Sequence, residues 1–384
     1  MLKRLLALAI SAAFLVSCGD DDGGTPSVSS ADKQEVVDNY ADIVYATYSD
    51  ALSTAEDLED AIDALIANSS EANLTAAKEA WLEAREPYGQ SEVFRFYGGP
   101  IDDEEGPEGQ LNAWPLDEAF IDYVEDDANT GIIQNPENFP TINKELIAAQ
   151  NENGSETNIS SGYHAIEFLL WGQDLSEGAG GGERPATDFN EENCTGGNCD
   201  RRNDYLKAAV ELLIDDLQFL VDQWAPNGEY RVAFTAESNV DDAIANIFAG
   251  MGELSVGELA GERMTVAYEN KSKEDEHSCF SDNTHRDIVT NALGIKNVYF
   301  GAYKRVDGTT VSGPGLNSLV EVLDADLNAS LEENLEASVD AAELIEAPFD
   351  QEFLNDEGRV RIKTTIDLLK AQGPKITEAA ALLL

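Results

Sequence analysis

Apolar residues along this chain return at steps of three and four almost everywhere after Asp32, and such a chain buries its oily side chains by packing helix on helix. Over residues 202–224, Tyr205, Ala209, Leu212, Leu213, Leu217, Leu220 and Trp224 share one face. Over residues 240–268, Ile244, Ile247, Met251 and Leu254 form a second stripe. Gly257 and Gly261 on that run are read as places where another backbone comes close. The same spacing predicts helices over residues 33–67, 73–97, 288–303, 326–346 and 358–384, whereas strand-like alternation is scarce. The expected class is all-α.

Breakers punctuate these runs: GGPIDDEEGPEG from Gly98, GSETNISSG from Gly154, SEGAGGGERP from Ser176 and GTTVSGPG from Gly308. Each is long enough to carry function as well as connection. A chain of 384 residues has room for about two cores. Two helical bundles, residues 32–230 and 231–384, with a functional cleft between them, account for the helix count.

The first residues read as an export signal. Lys3 and Arg4 precede an apolar run from Leu5 to Val16, too short for the roughly 20 residues of a spanning helix. Leu15-Val16-Ser17-Cys18 fits the lipobox of bacterial lipoproteins, so residues 1–17 are expected to be removed and Cys18 to carry lipid. Residues 18–31, rich in Gly, Ser and Asp, form an expected tether. The expected location is the cell envelope, with the outer membrane favoured, and contact with the membrane is through that lipid alone.

With 24 basic against 75 acidic residues, the formal charge is -51, which repels phosphate backbones and argues against a nucleic-acid partner. Such a surface concentrates cations; a saline habitat, where acidic surfaces preserve solubility, explains it equally well. Cys194 and Cys199 flank a Gly-rich turn, and in an exported protein a short-loop disulfide is the simplest reading. Cys279 pairs with one of these or stays a buried thiol.

The segment GYHAIEFLLWGQD from Gly162 carries most of the chemistry. If it is helical, His164 and Glu167 lie three apart on one face and can meet the same ion, although on spacing alone a satisfied structural pair is the simpler account. Trp81, Arg85, Tyr88, Glu92 and Arg95 also fall on one helical face, either as an Arg-Glu network bracing the bundle or with Glu92 as a ligand. His277 and His285 flank the loop SCFSDNT. There Asp282 or Ser281 reads as an N-cap, and the two histidines and Asp282 are also cleft candidates.

These segments resemble the imelysin family. The signature around His164 is joined by WLEAR from Trp81, EVFRF from Glu92, GPID from Gly99, NAWPLD from Asn112, GELAGERM from Gly257 and EHSCFSDNTHRD from Glu276, spread through nearly the whole exported body and similar to its iron-regulated branch. The resemblance implies two helical bundles, an envelope location and a His-x-x-Glu site in a cleft. It places Asp102 near that cleft, giving His164, Glu167, Glu92 and Asp102 as expected metal ligands. Arg85, Arg95, Asp117 and Arg263 are expected around them, Arg263 orienting a carboxylate. An imidazole with three carboxylates suits iron, ferrous or ferric, with zinc or another divalent cation as alternatives. The expected role is iron uptake or handling with a transport partner protein. The family's description as peptidases implies metal-dependent cleavage at the same cleft instead, but the second histidine of the H-E-x-x-H pattern is missing here.

Overall fold

The computed structural model describes residues 27–384 apart from 177 and 179. The leader, Cys18 and most of the tether lie outside the described residues. The observed architecture is all-α, with two short strands among the described residues. No described helix is long and apolar enough to cross a membrane.

Eight long helices make the frame: α1 (Ser30–Ala67), α2 (Glu71–Ser91), α3 (Gly162–Trp171), α4 (Cys199–Trp224), α5 (Val240–Glu253), α6 (Thr284–Phe300), α7 (Ala325–Ala342) and α8 (Asp356–Leu383). Helix α1 starts on a reciprocal cap, in which the Ser29 hydroxyl accepts from the Asp32 amide while the Asp32 carboxylate takes the Ser29 amide. It packs along α2 and α4, and α4 covers α3; on the other side α7 and α8 pair, and α8 lies on α5 and its continuation. The apolar stripes foreseen on α4 and α5 are buried throughout.

Three departures from the periodicity matter. The expected helix over 73–97 ends at Ser91; Glu92–Phe94 form a 3-10 turn and Arg95 is extended, so Glu92 and Arg95 leave the face that carries Trp81, Arg85 and Tyr88. Beyond α5 the chain winds as a π-helix over Leu254–Thr265. A π turn stacks residues five apart, and Arg263 Nε accordingly donates to Glu258 Oε1 at 3.0 Å. The third departure follows α6, which stops at Gly301 in the left-handed region (φ 68°) and gives way to an antiparallel hairpin, β1 (Ala302–Lys304) and β2 (Thr310–Ser312). Tyr303 and Arg305 from this hairpin grip the buried Asp50 carboxylate on α1.

The close backbone approach expected at Gly257 and Gly261 is not made there: a Cβ would meet the Glu253 side chain at the first and, at the second, the Val256 carbonyl oxygen of the same π segment. It occurs where α2 crosses α6. A Cβ at Gly89 would overlap the Thr290 side chain, and one at Gly294 would come within 2.5 Å of the Gln90 carbonyl oxygen. This contact sets the separation of the two helices, and with it the reach of Arg85 to Asp287. Gly294→Ala therefore forces the crossing apart and is expected to lower stability by about 1–3 kcal/mol, the usual cost of overpacking, in a urea denaturation series.

Candidate functional site

Helix α3 begins where only a glycine fits. Gly162 sits at φ 81°, and a Cβ there would come within 2.4 Å of the Leu111 carbonyl oxygen. Its first turn is further pinned by Trp81 Nε1, which donates to the Tyr163 carbonyl at 2.9 Å, and by the Tyr205 hydroxyl, which donates to the Ser160 carbonyl at 2.7 Å. All ten residues of α3 are buried. His164 and Glu167 therefore face the interior together, as the spacing of three requires.

His164 Nδ1 lies 2.8 Å from Glu167 Oε2. The other carboxyl oxygen, Oε1, accepts from both the amide and the hydroxyl of Ser281, at 2.9 and 2.7 Å. Burial drives this pair away from charge: the Glu167 carboxyl is pushed up to about 8 and the His164 imidazole down to about 3. His164 Nε2 is buried with no hydrogen-bond partner. Whichever tautomer the ring adopts, a polar atom that normally costs about 1–3 kcal/mol to leave unsatisfied points into this site.

A second histidine stands beside the first. The rings of His164 and His277 lie 4.7 Å apart between centroids, at 77°. His277 Nδ1 is 2.9 Å from Asp287 Oδ2, which also accepts from the Ser278 hydroxyl. The other oxygen of Asp287 takes Arg85 Nη2 at 2.9 Å. Burial alone would raise the Asp287 carboxyl, but Arg85 and His277 outweigh it and hold it far below the carboxylate range. Arg85 Nη1 continues to Asn112 Oδ1, and Asn112 Nδ2 donates to Glu92 Oε1 at 2.7 Å.

Glu92 is fully engaged with cations. Its Oε2 accepts from Arg263 at 2.6 Å and from Arg95 at 3.0 Å, and these two guanidinium groups, outweighing burial, hold its carboxyl down to about 2. Of the two readings left open for the Arg-Glu stripe, this geometry is the bracing network. Asp102 lies in its own loop, its oxygens taken by the Phe96 and Gly99 amides. The expected convergence of His164, Glu167, Glu92 and Asp102 on one ion is therefore not formed. Among the described residues no group of three or more His, Cys, Asp or Glu side chains gathers as a metal site.

The surrounding residues sort in the same way. Arg85 and Arg263 are buried beside the imidazoles and their carboxylates, and Arg95 bridges Glu92 and Glu108. Asp117 caps a short helix through the Ala119 amide and does not enter the site. Asp282 is not the N-cap of α6: it sits in the left-handed region, its side chain accepts from the Gly180 amide, and Asn283 precedes the helix without a side-chain cap. His285 is half-buried, with Nδ1 near the Asp282 carbonyl. Cys194 and Cys199 are joined in a disulfide, and Cys279 is unpaired. Asn112, Ser281 and Asp287 belong to the site through their contacts with Arg85 and Glu167. Asn112 opens NAWPLD, and Ser281 and Asp287 lie in EHSCFSDNTHRD, yet none has a spacing that announces its partner.

Residues 44–376 match the family model described as Imelysin. The chain belongs to the imelysin family. Among curated imelysin-related sequences, the iron-regulated protein A of Synechococcus elongatus is 24% identical over 331 residues, covering 84% of this chain and 78% of that protein. A crystal structure described as that of a putative iron-regulated protein A precursor from Parabacteroides distasonis superposes with a TM-score of 0.74 at 22% identity, covering 95% of this chain and 98% of that one. That likeness shows the shared imelysin fold.

The donor set fits a cation that accepts imidazole nitrogen. When ionised, Glu167 stands behind His164 as a carboxylate does behind a metal-ligating histidine, accepting the Nδ1 proton and leaving Nε2 its lone pair. Two expectations follow for this imelysin's site. Asp287→Ala leaves Arg85 buried without its counter-charge and is expected to cost about 3–5 kcal/mol in chemical denaturation. Next to His277, both oxygens of buried Glu276 lack a hydrogen-bond partner. Burial, then Asp350 and Asp282, pushes this carboxyl well above its ordinary value, while the Thr284 hydroxyl works the other way without closing a hydrogen bond. The folded state therefore keeps a proton that the unfolded chain gives up, and stability falls as pH rises above the unfolded value near 4.5. Glu276→Gln is expected to remove that decline and raise the thermal midpoint at pH 8 relative to the parent.

Proposed function

We propose that this protein is an iron-binding lipoprotein of the bacterial envelope, tethered by a lipid on Cys18, which takes up iron through His164 and hands it to a transport partner. The single observation that carries this reading is His164 Nε2, buried without a partner while Nδ1 is held by Glu167. A fully satisfied structural histidine has no need of such an arrangement, and a metal ligand has. Membership of the imelysin family and the names of two relatives, both iron-regulated protein A, support iron as the ion. The formal charge of -51 supports the capture step, because an acidic surface raises the cation concentration around it.

On this reading Glu167 supports the ligand rather than sharing the ion, since both its oxygens are occupied by Ser281 and His164. Zinc and other divalent cations accept the same imidazole nitrogen and compete for it. Titration of the mature protein with Fe²⁺ under anaerobic conditions, beside elemental analysis of protein purified without chelators, tests the assignment. His164→Ala with Glu167→Ala is expected to weaken binding by more than the roughly 10–100-fold that loss of an outer partner alone costs. Binding as tight as that of the parent in this double variant, with the fold intact, removes the assignment.

A further inference from the structure

The proton positions on His277 follow from one neighbour. The Asn112 amide is oriented by Arg85, whose guanidinium donates to Oδ1 at 2.5 Å, so Nδ2 must be the atom that faces both Glu92 Oε1 and His277 Nε2. An amide nitrogen carries only donors. His277 Nε2, 3.4 Å away, therefore presents its lone pair, and its proton sits on Nδ1, directed at Asp287 Oδ2. The contact from Asn112 is longer than an ordinary hydrogen bond and gives way at little cost.

His164 is built on the same plan from the opposite side. Its Nδ1 is engaged by the Glu167 carboxyl at 2.8 Å, which in its ionised form takes the Nδ1 proton and leaves the unpartnered Nε2 a lone pair. Two imidazoles thus stand together, each anchored through Nδ1 by its own acid, one on α3 and the other just ahead of α6. Their centroid separation of 4.7 Å suits a shared ion: rings bound to one cation through Nε2 at roughly 2.0–2.1 Å, near a right angle, have centroids about 4.5–5 Å apart.

We infer that His277 Nε2 is a second protein ligand beside His164 Nε2, and that Asp287 supports it as Glu167 supports His164. This rests on the proposed function and deepens it. Two neutral nitrogen donors favour a borderline divalent ion, so the cargo form is ferrous, and the hard cations calcium and magnesium are poor competitors. Binding draws α3 and the segment leading into α6 onto one ion, while Asn112 turns its amide wholly toward Glu92.

The chain has only three histidines, which makes ligand counting clean in untagged protein. The experiment is iron-edge X-ray absorption on the mature protein loaded anaerobically with Fe²⁺, together with Fe²⁺ titration of His164→Gln, His277→Gln and His285→Gln. The parent is expected to show scattering from two imidazoles. His277→Gln is expected to show one, with Kd weakened at least about tenfold, and His285→Gln to match the parent. One imidazole in the parent, or two retained in His277→Gln, overturns the inference. Should His164→Gln lose iron while His277→Gln binds like the parent, this ligand falls and the proposed function stands. If the folded parent takes up no Fe²⁺, both fall. Since the spectrum of the parent alone counts the rings, a variant that misfolds still leaves the question decided.

Discussion

The buried pair of Arg85 and Asp287 joins two elements that are 202 residues apart in sequence, and the interior of the molecule is organised around keeping that pair neutral. A guanidinium on α2 cannot be left dry and unpaired. It draws the first turn of α6 to within 2.9 Å, and the small residues at the α2–α6 crossing let the helices come that close. Asp287 then has one oxygen left, and it is spent on His277 and Ser278. The orientation of the imidazole is thus a by-product of satisfying a charge.

The same reasoning extends along the chain of contacts to the π segment. Asn112 passes from Arg85 to Glu92, and Glu92 neutralises Arg263 and Arg95. Arg263 reaches Glu92 from a helix wound five residues per contact, which also places Glu258 beneath it. Regular α winding would turn residues 258 and 263 well away from each other and leave Arg263 short of one carboxylate. Burying ions in this way adds little net stability; what it does is make any alternative packing expensive, because each displaced partner strands a charge.

Periodicity made the helices legible because it reports burial: the stripes on α4 and α5 lie in the core as written. It carries no information on which buried acid faces which base. Glu92 keeps the spacing of its stripe, yet the helix ends one residue earlier, and its carboxyl goes to Arg263 instead of an ion. Asp102 turned inward to its own loop because two amides there needed an acceptor. His164 and Glu167 were legible since both lie on one short helix, where a spacing of three is a distance. His277 belongs to an irregular segment whose course is set by Ser281 gripping Glu167 and by Arg85 gripping Asp287, and no local pattern encodes either contact.

On the proposed function, collecting a cation and choosing one fall to different parts of this molecule. The acidic surface acts on every cation alike, and salt screens it over roughly 8–10 Å, so it enriches without selecting. Around the imidazoles the signs are balanced instead, with Arg85, Arg95 and Arg263 set against Asp287, Glu92 and Glu258. A hard ion gains little in such a place, having neither excess negative charge nor free carboxylate oxygens to meet it. What the interior offers is nitrogen lone pairs on rings whose own pKa values, lowered to about 3 by burial, keep them unprotonated across the physiological range. Under that proposal selection comes from donor chemistry alone, and it is expected to persist when salt abolishes the attraction of the surface.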